Sequence, residues 1–214
     1  MGQESFERVI FTAQLKEERD YWLKKLSREI GYSNLQLDQK RSKIYARKKD
    51  TVRAYLSDET SQKLLNLTGK SPLLMYTALL ATLQVCLYKH SRAESIVVGS
   101  PASRQADDIP PTGNVLALLN DMDETLSFKD FLLQVRETTI EAYKRQQYPF
   151  SRIISDLGLE TAENQNPLFD ILLALNGLHE DPPALKNDLT IVFHEDNEKI
   201  YGDLTFNVKL FEKA

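Results

Sequence analysis

An almost wholly apolar helix, followed at once by an apolar strand, constrains this chain most. Ser71 is a good N-cap and Pro72 suits the first helical position, so a helix is predicted to begin here. The run "LLMYTALLATLQVCLYKH" puts apolar side chains on nearly every face of that helix, which is typical of a core helix. The run "ESIVVGS", bounded by turn signals, predicts a buried strand. Together they indicate the centre of an α/β domain.

The rest of the chain predicts the same class of fold. Further helices are expected over "TAQLKEERDYWLKKLSRE", from Ser57 to Leu67, from Ser127 until Pro149 ends the pattern, and over "FSRIISDLGL". Further strands are expected over "TVRAYLS", "NVLALLNDM", "NPLFDILLALNG", "LTIVFHED" and "KIYGDLTFNVKLF". The prediction is a mixed-sheet α/β sandwich with about five strands and about five helices. Residues 1–50 would form an N-terminal helix and basic linker, and residues 51–214 the main domain.

Composition excludes several classes of protein. The net charge of −4 argues against a nucleic-acid binder, and one cysteine, Cys86, cannot form an intrachain disulfide, so we expect a cytoplasmic protein. The sequence contains no run of about 18 consecutive apolar residues, so no membrane span is predicted. The stretch from Lys40 to Asp50 holds six cations. It is interpreted as a solvated linker, or alternatively as a landing site for an acidic partner.

The stretch "SIVVGSPASRQ", Ser95 to Gln105, looks like a junction between a strand and a turn that could carry chemistry. It has one glycine and no lysine, so it is not a phosphate-binding loop. Ser100 and Ser103 lack the Gly-x-Ser-x-Gly frame of a nucleophile elbow. Pro101 also removes an amide that an anion site would use.

The titratable residues show no self-contained catalytic or metal-binding motif. The three histidines, His90, His179 and His194, lack metal-ligand spacing. His90 is expected to stabilise a helix end, whereas a catalytic role for His179 or His194 stays open but unsupported by spacing. Asp107 and Asp108 are interpreted as a solvated turn. No catalytic, cofactor-binding or metal-binding residue is therefore predicted.

Several stretches in order resemble one family. They are "DYWLKKL", "PLLMYTALLATLQVCLYKHSRAESIVVGSPASR", "GNVLALLND", "SFKDFLLQVRETTIEAYKRQQYPFSRIISDLG", "NPLFDILLALNG" and "YGDLTFNVKLF". The series resembles the C-terminal half of the condensation domains of nonribosomal peptide synthetases, from about Gln14 to Phe211. The resemblance implies a single lobe of the chloramphenicol-acetyltransferase-like fold, with residues 1–50 coming from the junction between two lobes. The family's active-site motif, His-His-x-x-x-Asp-Gly, belongs to the other lobe, and no His-His pair occurs here.

The resemblance implies that two loops cross toward the partner lobe and wall a tunnel. One follows "VVGSPASR", and the other, the latch, runs from Gly177 to Asp188. Gly99 and Pro101 would shape the corner, and Arg104 would hold the loop or face a carrier protein. The tunnel and crossing-loop candidates are Gly99, Ser100, Pro101, Arg104, Gly113, Asn114, Ala117, Asn176 and Gly177. Both loops could equally be ordinary surface turns.

The family's Gly-Phe-Phe-Val-Asn-Thr-Leu is replaced by "GNVLALL", with Ala117 where the family's tunnel asparagine would stand. Three functions are therefore weighed. The chain is the C-terminal lobe of a condensing acyltransferase, inactive alone and served by phosphopantetheine-tethered substrates on peptidyl carrier proteins. Alternatively, it is a structural platform against an adenylation domain in a loading module. The third alternative is a stand-alone oligomeric acyltransferase. An exposed lobe face predicts homodimers or a bound partner domain.

Overall fold

The computed structural model describes residues 2–28, 30, 35–43, 45, 48–104 and 113–213, and within them it contains five helices and six strands. The helices are α1 (Gly2–Leu26), α2 (Asp58–Thr68), α3 (Pro72–Ser91), α4 (Phe128–Tyr143) and α5 (Phe150–Asp156). The strands are β1 (Lys49–Tyr55), β2 (Ser95–Pro101), β3 (Val115–Asp121), β4 (Ile171–Leu175), β5 (Leu189–Asp196) and β6 (Lys199–Asn207). The predicted element order is confirmed, with six strands instead of about five.

Local capping explains where the helices begin. Ser57, Ser71 and Ser127 each accept a hydrogen bond from a backbone N–H in the first turn of α2, α3 and α4, respectively. Gly69 ends α2 in the left-handed conformation at φ 56°. These signals act within a few residues, so the sequence alone was enough to place these helix ends.

The six strands form one mixed sheet in the order β1-β6-β5-β4-β2-β3. β2, β4 and β5 are parallel to their neighbours within this group, whereas β1, β3 and β6 pair antiparallel. The β5–β6 hairpin closes through Asn197 and Glu198, both at positive φ, which suits the twist of a two-residue turn. β2 and β4 are buried along almost their whole length, as expected for strands covered on both faces, whereas β5 is only partly buried.

Helices pack on both faces of the sheet. α3 and α4 contact β2, β3 and β4 on the face toward which Ser100 points. On the opposite face, Gly99 lies against the ring of Phe169, which in turn packs on Phe150 of α5 with ring centroids 5.5 Å apart. α1 contacts α5, and its Trp22 indole N–H donates to the carbonyl of Arg145, just after α4, at 2.9 Å. The core therefore lies around β2, β3 and β4.

α3 occupies the centre of the core, as its apolar sequence predicts. Among the residues that the structure describes, it is the one helix long and apolar enough to cross a membrane by length and composition. Half of its most apolar window is buried inside the domain, and Tyr76 and Leu80 are fully buried. Its hydropathy is thus accounted for by packing against the sheet and α4.

The basic stretch from Lys40 to Asp50 differs in one respect from the solvated linker of the sequence interpretation. Arg41 donates to both carboxylate oxygens of Asp188, at 2.8 and 2.5 Å, and only 17% of its side chain is exposed. Tyr45 donates to the main chain beside that pair, at the carbonyls of Leu185 and Asn187. This part of the linker is therefore fastened to the domain rather than surrounded by solvent.

Candidate functional site

The candidate site lies at the sheet edge where β2 and β4 end and β3 begins. Parallel strands bring their carboxyl ends to the same edge, and Gly99 of β2 lies beside Leu172 of β4. The chain leaves β2 at Pro101 and leaves β4 at Leu175. Both predicted crossing loops therefore start from one place, although more than 70 residues separate them in the sequence.

Backbone hydrogen bonds join the two loops where they start. Ser103 forms an isolated β-bridge with His179, and the Arg104 amide donates to the carbonyl of Leu178 at 2.9 Å. Farther along, the Gly113 amide donates to a carboxylate oxygen of Glu180 at 3.2 Å. We call these contacts the loop junction. It places Arg104 and Gly113 next to the segment that follows β4.

The opening of the first loop differs from the sequence interpretation. Gly99, Ser100 and Pro101 do not form a turn: they are the last three residues of β2, paired with Ala117, Leu116 and Val115 of β3. A Cβ atom at Gly99 would lie 2.3 Å from the Phe169 ring, so this glycine provides space for a close approach and does not shape a corner. The chain changes direction after Pro101. Asp107 and Asp108 lie outside the described residues.

The remaining candidates have different surroundings. The Asn114 side chain donates to the carbonyls of Gln146 and Tyr148, and accepts from the Phe150 amide, so it fastens the α4–α5 connection. Ala117 is 1% exposed within β3. Asn176 and Gly177 are exposed at the start of the latch, with Gly177 at φ 85°. The side chain of Arg104 is half exposed and lies 3.9 Å from Asp181.

Residues that the sequence analysis did not select form hydrogen bonds on the buried side of the loop junction. Gln146, just before the "YPF" stretch, accepts from the Ser103 amide at 2.8 Å and donates to the Ser103 carbonyl at 3.2 Å. His179, considered only as a catalytic base, is 2% exposed, and its ring meets the hydroxyls of Tyr143 and Ser100. Neither Gln146 nor Tyr143 carries a sequence pattern that marks these contacts.

The geometry does not equip His179 as a general base. Its Nδ1 atom accepts a hydrogen bond from the Leu175 amide at 2.9 Å, so the neutral ring carries its proton on Nε2, the atom near Ser100 and Tyr143. Burial, with the Arg104 cation adding to it, lowers the pKa of His179 to about 3. His194 lies on β5, stacked on Tyr201 and 3.4 Å from Asp203. Neither histidine supports the stand-alone acyltransferase alternative.

The family model that describes the condensation domain matches residues 5–214. The chain belongs to the condensation-domain family. Bacitracin synthase 3 from Bacillus licheniformis is 32% identical over 94% of this chain, and tyrocidine synthase 3 from Brevibacillus parabrevis is 32% identical over 98% of it. In each case the chain spans 4% of the relative's length. The resemblance to condensation domains of nonribosomal peptide synthetases is thereby confirmed.

Two solved structures share the fold. A holo four-domain nonribosomal peptide synthetase bound to AMP and glycine matches with a TM-score of 0.77 and 21% identity, covering 92% of this chain and 18% of that one. The X-domain from teicoplanin biosynthesis matches with a TM-score of 0.76 and 19% identity, covering 96% of this chain and 53% of that one. The predicted mixed-sheet α/β class, with its chloramphenicol-acetyltransferase-like lobe, is confirmed. The chain spans about half of the X-domain.

Proposed function

We propose that the chain supplies the C-terminal lobe of a condensation domain in a nonribosomal peptide synthetase. Residues 51–214 would form the lobe, and residues 1–50 the helix and linker from the junction with the histidine-bearing lobe. The observation that carries the proposal is the loop junction, in which the Arg104 amide donates to Leu178 across two loops distant in sequence. Two loops that leave one sheet edge together can wall a tunnel between lobes.

In this function the chain binds and orients substrates and leaves proton transfer to its partner. The sequence holds no adjacent histidine pair, so the base that accepts a proton from the acceptor amine would come from the other lobe. The substrates would arrive as phosphopantetheine thioesters on peptidyl carrier proteins, which makes the cytoplasm the expected location. Arg104, half exposed beside Asp181, is placed to meet a carrier or its tether.

A reconstitution experiment tests this function. The chain is mixed with a separately produced lobe that carries His-His-x-x-x-Asp-Gly and with loaded donor and acceptor carrier proteins, and dipeptide thioester is measured by mass spectrometry. We expect no product from the chain alone and product from the combination. Arg104→Met should lower the yield, whereas Arg136→Met, on the exposed face of α4, serves as the matched control. Turnover by the chain alone, or equal yields from both variants, would contradict the proposal.

A second candidate function, a structural platform against an adenylation domain, is favoured by the strand β3. Ala117 is buried and apolar where the family's tunnel asparagine would stand, and Asn114 is engaged in holding Tyr148 and Phe150. Neither side chain offers a polar group to a tunnel. If this reading is correct, the reconstituted lobes yield no peptide, and deleting the lobe lowers the solubility and adenylation rate of the neighbouring domain.

The surface offers a place for association with a partner domain or a second copy. Leu126, Phe128 and Leu133 are exposed at the start of α4, and Phe128 is 51% exposed. The first two also line an open depression of about 550 Å³ that Arg92 borders. Such apolar patches mark association surfaces. Sedimentation at high protein concentration should therefore show dimers that Phe128→Ser weakens, and a clean monomer would contradict this part of the proposal.

A further inference from the structure

A cluster of buried polar side chains lies beneath the loop junction. His179, Ser100 and Tyr76 are 2%, 0% and 0% exposed, and Tyr143 of α4 reaches the same point. The Nε2 atom of His179 is 2.6 Å from the Tyr143 hydroxyl and 3.3 Å from the Ser100 hydroxyl. The Tyr76 ring from α3 meets the imidazole edge-on, with centroids 4.4 Å apart. The imidazole is therefore held from β2, α3 and α4 at once.

The same imidazole also closes the turn from which the latch loop departs. Its Nδ1 atom accepts from the Leu175 amide, while its own backbone amide donates to the Leu175 carbonyl at 3.1 Å. One residue away, the Leu178 carbonyl accepts from Arg104 of the other loop. Displacing the ring would shift this carbonyl and with it the first loop.

The cluster has no role in the chemistry assigned to the chain. A ring whose Nε2 carries the proton and whose Nδ1 is occupied cannot accept a proton from a substrate. Burying hydroxyl and imidazole groups is unfavourable unless each finds a hydrogen-bond partner. The Tyr76 hydroxyl donates to the Leu173 carbonyl, and the His179 ring meets the hydroxyls of Tyr143 and Ser100. A paired arrangement of this kind fixes one geometry. An apolar cluster would fill the space but would not fix the direction of the turn.

We propose that His179 is a positioning residue that sets the spacing between the two loops by tying the turn from Leu175 to His179 onto Tyr143 of α4. Its effect on a condensation tunnel rests on the proposed function. Its effect on the loop junction does not, because it follows from contacts within this chain. The two effects can therefore be tested separately.

Hydrogen exchange at the Arg104 amide tests the junction directly. In His179→Leu, which fills the space without polar contacts, exchange of this amide should rise about tenfold relative to amides of the β2–β3 pairing, since one buried hydrogen bond is worth about that factor in a local opening. His179→Gln, whose amide can still reach Tyr143, should restore much of the protection. His90→Gln makes the same change at an exposed histidine and should change nothing. Unchanged exchange in His179→Leu would overturn the proposal.

Two further measurements keep the proposal falsifiable if His179→Leu fails to fold. Tyr143→Phe removes only the hydroxyl and should raise Arg104 exchange by a smaller factor, whereas no change would count against the role of α4. The ¹⁵N spectrum of the imidazole should show a bare Nδ1 and a protonated Nε2, and the opposite tautomer would overturn the assignment. If the junction loosens in His179→Leu but reconstituted peptide formation is unaffected, the positioning role stands and the loop spacing has no effect on the tunnel. No product from the unmodified lobes would instead contradict the proposed function.

Discussion

Two arginines in this chain each form a bidentate ion pair with a different aspartate, in different surroundings. Arg41 donates to Asp188 at 2.8 and 2.5 Å, and Arg53 donates to Asp203 at 2.7 and 2.9 Å. The side chains of the first pair are 17% and 2% exposed, whereas those of the second are 49% and 23% exposed. Both pairs make two hydrogen bonds, Arg41 through its two terminal nitrogens and Arg53 through Nε and one terminal nitrogen, so they differ mainly in how much solvent surrounds them.

The buried pair is held where little water can reach it. Arg41 also lies 3.5 Å from the carboxylate of Asp170, so one guanidinium serves two buried carboxylates where the linker meets the start of β5. Removing it leaves negative charge away from water, which is costly. Around the exposed pair, water can replace the lost partner. The Arg53 guanidinium also lies over the Tyr201 ring, 4.4 Å from its centroid.

The largest effect is therefore expected from neutralising the buried pair. Arg41→Met keeps most of the side-chain length and should lower the free energy of unfolding by about 3–5 kcal/mol, because it leaves the carboxylate of Asp188 unpaired. Arg53→Met should cost much less, since solvent screens that pair. Urea unfolding followed by circular dichroism measures both. Equal shifts in the two midpoints would show that burial is not what separates the pairs.

Gly99 and Gly202 give a second comparison of a tightly and a loosely packed position, because an added Cβ atom would meet a phenylalanine ring at both. A Cβ at Gly99 would lie 2.3 Å from the ring of Phe169, which is 4% exposed and packed on Phe150, whereas a Cβ at Gly202 would meet Phe193 at 3.3 Å. Gly99→Ala should therefore cost about 1–3 kcal/mol through overpacking. Gly202→Ala requires Phe193 to move only a few tenths of an ångström and should cost less.

Thermal unfolding of both variants, with Gly113→Ala as a third, distinguishes the cost of steric overlap from the cost of an unfavourable backbone conformation. Gly113 has φ 59° and nothing within 4 Å of its added Cβ, so any cost there comes from the left-handed backbone alone. If Gly99→Ala proved as stable as Gly202→Ala, the close approach of β2 to Phe169 would not be a constraint on the fold.

Much of the fold could be predicted because its signals are local. The caps Ser57, Ser71 and Ser127 act within one helical turn, and the uniform apolarity of α3 reports its burial directly. The family resemblance added that two loops leave the lobe toward a partner, and the structure adds that they start side by side. The pattern could not show that Pro101 continues β2, because strand pairing with β3 decides where the strand ends.

The candidate site was less predictable because its contacts are long-range. His179 and Ser100 are 79 residues apart, and Arg41 and Asp188 are 147 apart. Neither pair has a spacing that marks it. A histidine in a Pro-rich loop and an arginine in a basic run both look solvated in sequence. Only the folding of distant segments onto one sheet brings these two side chains against buried partners.

Lowering the pH also compares a buried with an exposed titratable side chain, His179 with Asp203. The expected change in the free energy of unfolding per pH unit is the smallest of these effects. Burial lowers the pKa of His179 to about 3, below the usual value of 6.5, so between these pH values the unfolded chain binds a proton that the folded chain does not. Stability should therefore fall as the pH falls from 6.5 toward 3, by about 1.4 kcal/mol per pH unit. Beside Arg53, the pKa of Asp203 is also lowered, so the stability from that pair is present above the usual aspartate pKa and is lost as the pH falls through that value toward the lowered one.

The contribution of His179 is isolated by comparing the unfolding free energies of the wild type and His179→Gln at pH 6, 5 and 4. Glu18 acts in the opposite direction, since burial raises its pKa and the folded state gains stability as that carboxyl protonates, but it is common to both proteins and cancels. The stability difference should shrink by about 1.4 kcal/mol per unit as the pH falls. His90→Gln, at an exposed site, should keep a constant difference from the wild type. A constant difference for His179→Gln as well would mean that the imidazole takes up its proton in the folded state, and that the cluster beneath the loop junction is open to water.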